Sequence, residues 1–255
     1  LLLHGIGGTH RSWDPIAPSL ATERELIAVD LPGHGQTPPL PVTTIATYAD
    51  AIEQFIAEHQ LGGVDVVGAS MGARLALELA RRGSVGNVVA LDPGGFWTRA
   101  EQRVFGTSVR VSVLLLGVLR PVLPWLTGNP VTRTLLLGQF SGRPWALKGS
   151  VVLPELLSFL DTVSFAEALD ALANGPVQEG AATVPGRVVV GWGKRDLVTL
   201  PRQSRRLMER FPMAEIEMYD RCGHFPYWDA PDRAVATILR ATRTMDPLTS
   251  DRASG

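Results

Sequence analysis

Val64-Asp65-Val66-Val67-Gly68-Ala69-Ser70-Met71-Gly72-Ala73 is the stretch that decides how this chain is read. An apolar run ends in Gly-x-Ser-x-Gly and passes at once into a helical pattern, Ala73 to Arg82. Strand, sharp turn and helix in that order hold a serine hydroxyl clear of the backbone, and Gly68 and Gly72 leave room for the turn. The helix N-terminus adds its dipole and unpaired N–H groups where negative charge would develop. A glycine-rich turn with no chemistry would use the same letters. The strand before it and the helix after it favour Ser70 as a nucleophile.

Two further segments supply partners. Arg187-Val188-Val189-Val190-Gly191-Trp192-Gly193-Lys194-Arg195-Asp196 reads as a buried strand, a glycine-containing turn and an acid. Ala214 to Tyr219 reads as another strand and leads into Asp220-Arg221-Cys222-Gly223-His224-Phe225-Pro226. The chain order is therefore Ser70, Asp196, His224, with His224 as base and Asp196 as the acid that orients it. An Asp after a strand is often only a turn or capping residue, and Leu197 to Arg210 has a helical pattern. Asp92, at the end of the run Asn87 to Leu91, is a competing acid, with Asp196 favoured by its Gly-x-Gly-x-x-Asp setting. None of the five histidines pairs with another residue at metal-ligand spacing, so neither a metal nor any other cofactor is expected.

An oxyanion needs two N–H donors. Met71, directly after the nucleophile, is one candidate. The opening run Leu1-Leu2-Leu3-His4-Gly5-Ile6-Gly7-Gly8 offers the other, with Ile6 the first choice and Gly7 the second. A dinucleotide fingerprint fails here because its sixth position would be His10. His4 is expected to brace the loop, and His34 receives no role.

Taken together, Leu-Leu-His-Gly near the start, Asp30-Leu31-Pro32-Gly33-His34-Gly35, the serine turn, the Asp196 loop and Cys-Gly-His-Phe-Pro resemble the α/β-hydrolase fold family, in its serine esterase, lipase and haloperoxidase-like branch. The matches cover residues 1 to about 92 and 187 to about 240. The resemblance implies a mostly parallel sheet with helices on both faces and a helical lid inserted after the family's sixth strand. A serine at position 70 argues against haloalkane dehalogenases and epoxide hydrolases, which use Asp there. The family has two further strands before the segment that opens this chain, so the expectation is a member shortened at its N-terminus, with any targeting segment lying upstream of Leu1.

Composition agrees with that reading. The chain has 255 residues, enough for one sizeable core plus an insertion. Its 24 basic and 25 acidic residues give no electrostatic reason to expect nucleic acid or an anionic surface as a partner. A single cysteine, Cys222, forms no internal disulfide, which makes the cytoplasm the expected compartment and Cys222 a packing residue.

Strands are expected at Leu1 to Leu3, Leu26 to Asp30, Val64 to Val67, Asn87 to Leu91, Arg187 to Gly191 and Ala214 to Tyr219. Helices are expected at Ser12 to Ala21, Thr44 to Gln60, Met71 to Arg82, Pro201 to Arg210 and Ala230 to Arg243. The core would span 1–92 and 186–245, a helical cap 93–185, and a polar tail 246–255. Within the cap, Val111 to Leu119 is too short to span a membrane and is bounded by Arg110 and Arg120. Phe96, Trp97, Trp125, Phe165, Phe225 and Trp228 are candidate pocket liners, each also explicable as ordinary core.

These expectations converge on a hydrolase that cleaves a small hydrophobic carboxylic ester through an acyl-enzyme. A carbon–carbon bond hydrolase, a perhydrolase and a ligand receptor on the same fold are the alternatives.

Overall fold

A computed structural model describes residues 1–242; the expected tail 246–255 and the end of the last expected helix, Arg243, lie outside them. Six parallel strands form one sheet in the order β2-β1-β3-β4-β5-β6. They are β1 (Leu2–Leu3), β2 (Ala28–Val29), β3 (Val66–Ala69), β4 (Val88–Leu91), β5 (Val188–Gly193) and β6 (Glu215–Tyr219). Every residue of β3, β4 and β5 is buried, which requires cover on both faces and explains their continuous apolar runs.

Between β1 and β3 lie α1 (Ala17–Leu20) and α2 (Ile45–Glu58), and β3 runs into α3 (Met71–Arg82). Five helices separate β4 from β5: α4 (Arg99–Leu119), α5 (Leu123–Gly128), α6 (Pro130–Leu137), α7 (Gly149–Asp161) and α8 (Phe165–Ala173). The last described helices are α9 (Ser204–Arg210), α10 (Pro226–Asp229) and α11 (Pro231–Ala241). Helix α3 packs on β1, β3 and β4 with α2 against it, while α11 packs on β4 and β5 with α1 against it.

Several boundaries differ from the pattern-based expectation, each for a local reason. The strand expected over Leu26 to Asp30 pairs only at Ala28 and Val29. Asp30 instead turns its carboxylate to the N–H groups of His10 and Gln36. The helix expected over Ser12 to Ala21 divides into a 3-10 turn, His10–Trp13, and α1, because Pro15 has no N–H to carry one helix through. The strand placed at Val64 to Val67 sits two residues later and runs to Ala69, right up to Ser70.

The apolar stretch in the insertion is also longer than Val111 to Leu119. Arg99–Gly128 is 30 residues long and contains an 18-residue window of mean hydropathy 1.6, enough by length and composition to cross a membrane, and only 17% of that window is buried. It is not one rod, since a 3-10 turn at Arg120–Val122 separates α4 from α5 where Pro121 and Pro124 interrupt the ladder.

Strand register sets the site. Ala69 pairs with Leu91, Leu91 with Gly191, and Gly193 with Tyr219. The residues that follow these strand ends therefore emerge along one edge of the sheet, and they include Ser70, Asp92, Asp196 and His224.

Candidate active site

Ser70 follows β3 directly and caps α3 with φ 54° and ψ −111°. A non-glycine residue at positive φ costs on the order of 1–3 kcal/mol and persists only where its surroundings impose it. Here the fit is tight. A Cβ on Gly68 would come within 2.1 Å of the Gly72 carbonyl oxygen, and one on Gly72 within 2.1 Å of the Leu3 carbonyl oxygen. The Ser70 N–H donates to the Leu91 carbonyl at 2.9 Å, tying the turn to β4.

His224 lies between Ser70 and Asp196. Its Nε2 is 2.9 Å from Ser70 Oγ, and its Nδ1 is 2.9 Å from Asp196 Oδ2. All three residues are buried. Asp196 is held from its own loop. Its Oδ1 accepts the N–H groups of Val198 (2.7 Å) and Thr199 (3.0 Å), and its Oδ2 accepts the Thr199 hydroxyl (2.6 Å). Thr199 escaped the sequence reading, although an Asp followed two and three residues later by backbone donors is a recognisable side-chain turn.

Asp92 shares this corner. It is fully buried at φ 48°, its Oδ1 accepts the Gly193 N–H at 2.8 Å, and its Oδ2 has no hydrogen-bond partner among the described residues. Burial, reinforced by the neighbouring Asp196 carboxylate, holds its carboxyl well above the usual carboxylate range. Two carboxylates this close do not both ionise at neutral pH, and the one that touches His224 is Asp196. Ligand atoms of Asp92, Asp196 and His224 all lie within 4.8 Å of one another, as a metal site would require. Most of those atoms are already engaged with Gly193, Val198, Thr199 or each other, so the cluster reads as a hydrogen-bonded array.

The expected N–H donors flank Ser70. Met71 opens α3, and Ile6 lines the cavity beside Ser70. Neither N–H meets a backbone or side-chain acceptor among the described residues. His4 steadies the early loop, with Nδ1–H donating to the Gly5 carbonyl (2.7 Å) and Nε2 accepting the Leu31 N–H (2.9 Å). Burial pushes its imidazole down to about 3, which keeps that pattern of one donor and one acceptor intact.

The His224 loop is knotted to the insertion through Asp229. Asp229 Oδ1 accepts the Ser141 hydroxyl (2.6 Å), and Oδ2 accepts the N–H groups of Gly142 and Gly223 (2.7 Å each). The His224 N–H itself donates to the Phe140 carbonyl at 2.8 Å. Cys222, in the same loop, is buried and its thiol is pushed above its usual range, in keeping with a packing role.

Beside Ser70 lies a small apolar cavity of about 20 Å³. Phe105, Val109 and Val113 of α4, Phe140, Phe159, Phe165, Val198 and Phe225 line it, together with Gly5, Ile6, Ser70 and His224. Of the aromatic residues named from sequence, Phe165 and Phe225 are therefore at the site. Trp97 stands one layer back, stacked on Phe105 at 4.7 Å, and Phe96 turns toward Phe211 near α9. Trp125 requires correction as a pocket liner. It is 66% exposed, because α5 packs through Leu123 and Thr127 and turns the indole outward. Trp228 lines a separate surface depression with Glu155. The α4 liners were missed although their spacing (105, 109, 113) marks one helix face. Larger depressions of about 260 and 460 Å³ lie elsewhere and contain neither Ser70 nor His224.

Comparison with known proteins agrees in kind. The sequence profile described as alpha/beta hydrolase family matches residues 1–238. An uncharacterized protein of Mycobacterium tuberculosis is 26% identical over 273 residues, covering 100% of this chain and 78% of that one. The pimeloyl-[acyl-carrier protein] methyl ester esterase of Neisseria meningitidis serogroup B is 26% identical over 230 residues, covering 89% of this chain and 85% of its own. Among solved structures, 2-hydroxy-6-oxo-6-phenylhexa-2,4-dienoate hydrolase from Rhodococcus superposes with a TM-score of 0.73 at 22% identity, covering 95% of this chain and 89% of that one.

Proposed function

We propose, for a chain that belongs to the alpha/beta hydrolase family and is a hydrolase, that it cleaves a small hydrophobic carboxylic ester through an acyl-enzyme on Ser70. The observation that carries this reading is the position of His224, 2.9 Å from Ser70 Oγ on one side and 2.9 Å from Asp196 Oδ2 on the other. In the proposed reaction Ser70 Oγ attacks the ester carbonyl while His224 Nε2 takes its proton. The N–H groups of Met71 and Ile6 receive the oxyanion. His224 then protonates the departing alcohol and activates water against the acyl-serine, with Asp196 holding the ring and balancing its charge.

Helices α4 to α8 serve as a cap in this reading. The phenylalanine and valine lining argues for an apolar acyl or alcohol group and gives a sugar or peptide little to hydrogen-bond. Asp92 stays protonated behind Asp196 and does not replace it. The esterase among the relatives supports an ester over a carbon–carbon bond as the scissile group.

Intact-mass labelling with a fluorophosphonate tests the nucleophile, using wild type and Ser70→Ala once circular dichroism shows both folded. A single adduct on wild type alone is the expected result. No adduct on folded wild type, or an adduct retained in Ser70→Ala, overturns the assignment. A panel of nitrophenyl esters beside a meta-cleavage dienoate and a peroxide bromination assay then separates ester, carbon–carbon and perhydrolase chemistry.

A further inference from the structure

One side of α4 has no partner among the described residues. Val104, Val111, Leu114, Leu115 and Val118 are all exposed, Val118 by 78%. Steps of seven, three or four residues place them in one stripe along the helix. The opposite side, with Phe105, Val109 and Leu116, is buried. Beyond the helix end the exposed apolar run continues through Val122 and Trp125. Scattered exposed apolar residues are ordinary, whereas a continuous stripe of this length marks an interaction surface.

Charge identifies the kind of partner. Residues 99–148 hold seven of the chain's 24 basic residues and one of its 25 acidic ones, and of the seven only Arg133 is buried, donating to the carbonyls of Thr127, Pro144 and Trp145. That acid, Glu101, is already paired with Arg202 and Arg206. Arg103 and Arg110, seven residues apart and exposed, follow the flank of the stripe, and Arg99 and Arg120 stand at its ends, Arg120 beside Asp161. The basic residues of the insertion are thus gathered on its first half, while residues 149–185 hold five acidic residues and no basic one. A second copy meeting this face symmetrically would set arginine against arginine. A surface with hydrocarbon beneath and negative charge above would satisfy both features at once.

We propose that the outer face of α4 docks on an anionic phospholipid bilayer and lies in its interface. Crossing is disfavoured by the inner face. Gln102 donates to the carbonyls of Leu172 and Gly175, and Phe105, Val109 and Val113 line the cavity beside Ser70. Extracting α4 into hydrocarbon would strip all of these contacts, whereas docking leaves them in place. The arginine stems cover apolar surface while their guanidinium groups reach the headgroups. The docking does not depend on the reaction assigned to Ser70.

Flotation of the full chain with phosphatidylcholine vesicles, with and without phosphatidylglycerol, tests the proposal. Binding is expected only to the vesicles that contain phosphatidylglycerol. Arg103→Gln and Arg110→Gln should each weaken it about fivefold. The double variant Leu114→Glu/Val118→Glu should abolish binding while keeping the wild-type circular dichroism spectrum and turnover of a soluble ester. Three results overturn the proposal: wild type that fails to float at low salt, equal binding to both vesicle types, or a folded double variant that binds like wild type. A concentration-dependent dimer in light scattering that the double variant dissolves, without vesicle binding, would also overturn it and assign the stripe to a second copy.

Discussion

The sheet and the helical insertion meet at Ser70 but are built on opposite terms. Strands β3, β4 and β5 expose nothing, and helix α3 buries ten consecutive residues from Met71 to Ala80. Helix α4, nearly twice as long as α3, buries only five of its 21 residues and turns a valine and leucine stripe outward. In the sheet, packing fixes each side chain, and groups at the strand ends are held to hydrogen-bonding precision. In the insertion, burial is confined to the faces that meet the cavity and the neighbouring helices. The hydrogen-bonded Ser70, His224 and Asp196 sit at the strand ends of the first region, and the second supplies half of the residues that line the cavity beside them.

The largest test of that contrast is at the strand ends. Ser70→Ala or His224→Ala should lower kcat by about 10⁶ without unfolding the protein, measured by ester turnover on protein of native circular dichroism. A loss under tenfold in either would mean that the sheet edge does not carry the reaction. Asp196→Asn should cost about 10⁴ in kcat by leaving His224 in the wrong tautomer. Asp92→Asn should stay within about tenfold, since a neutral amide replaces a carboxyl that burial already keeps protonated. If the order of these two acids were reversed, Asp92 would be the partner of His224.

A third test sits where the two regions touch. Glu155 of α7 is buried and accepts the Ser12 hydroxyl at 2.8 Å, and burial pushes its carboxyl up to about 7. Below pH 4.5 the group is protonated whether the chain is folded or unfolded and has no effect on stability. Between 4.5 and 7 the unfolded chain releases the proton first, so stability falls as pH rises, by up to about 3 kcal/mol, and stays lower above 7. Glu155→Gln should remove that fall, which urea denaturation at pH 5 and pH 8 would measure. An unchanged slope would place the ionisation elsewhere.

The smallest effect separates interior from surface directly. Leu79, fully buried on α3, should cost about 2–5 kcal/mol when changed to Ala. Leu135, 82% exposed on α6, should change stability by no more than about 0.5 kcal/mol on replacement by Ser. A large loss at Leu135 would mean that this face is covered in solution.

What the sequence conveyed follows the same division. Ser70, Asp196 and His224 stand beside glycines and strand ends, where local backbone demands leave a readable mark. The neighbourhood of Asp92 and Asp196 did not show, because only the register of β4 against β5 brings the ends of those strands together. Trp125 and Phe105 illustrate the insertion. Both are aromatic residues in helical stretches, yet one faces solvent and the other lines the cavity. Helical periodicity says that two faces exist, and only the neighbours decide which is inward. The short β2 was overestimated for a similar reason, since among the described residues this apolar run has a strand partner on one side only.

The Asp229 knot has a mechanical consequence. Residues 140–143 belong to the insertion, yet they share two carboxylate bonds and one carbonyl bond with the loop that carries His224, and the third bond of Asp229 ties Gly223 within that loop. They cannot swing away without dragging the imidazole from Ser70. The cavity wall is thus tied to the imidazole on its Phe140 side, while its α4 side, with Phe105, Val109 and Val113, shares no hydrogen bond with the His224 loop among the described residues.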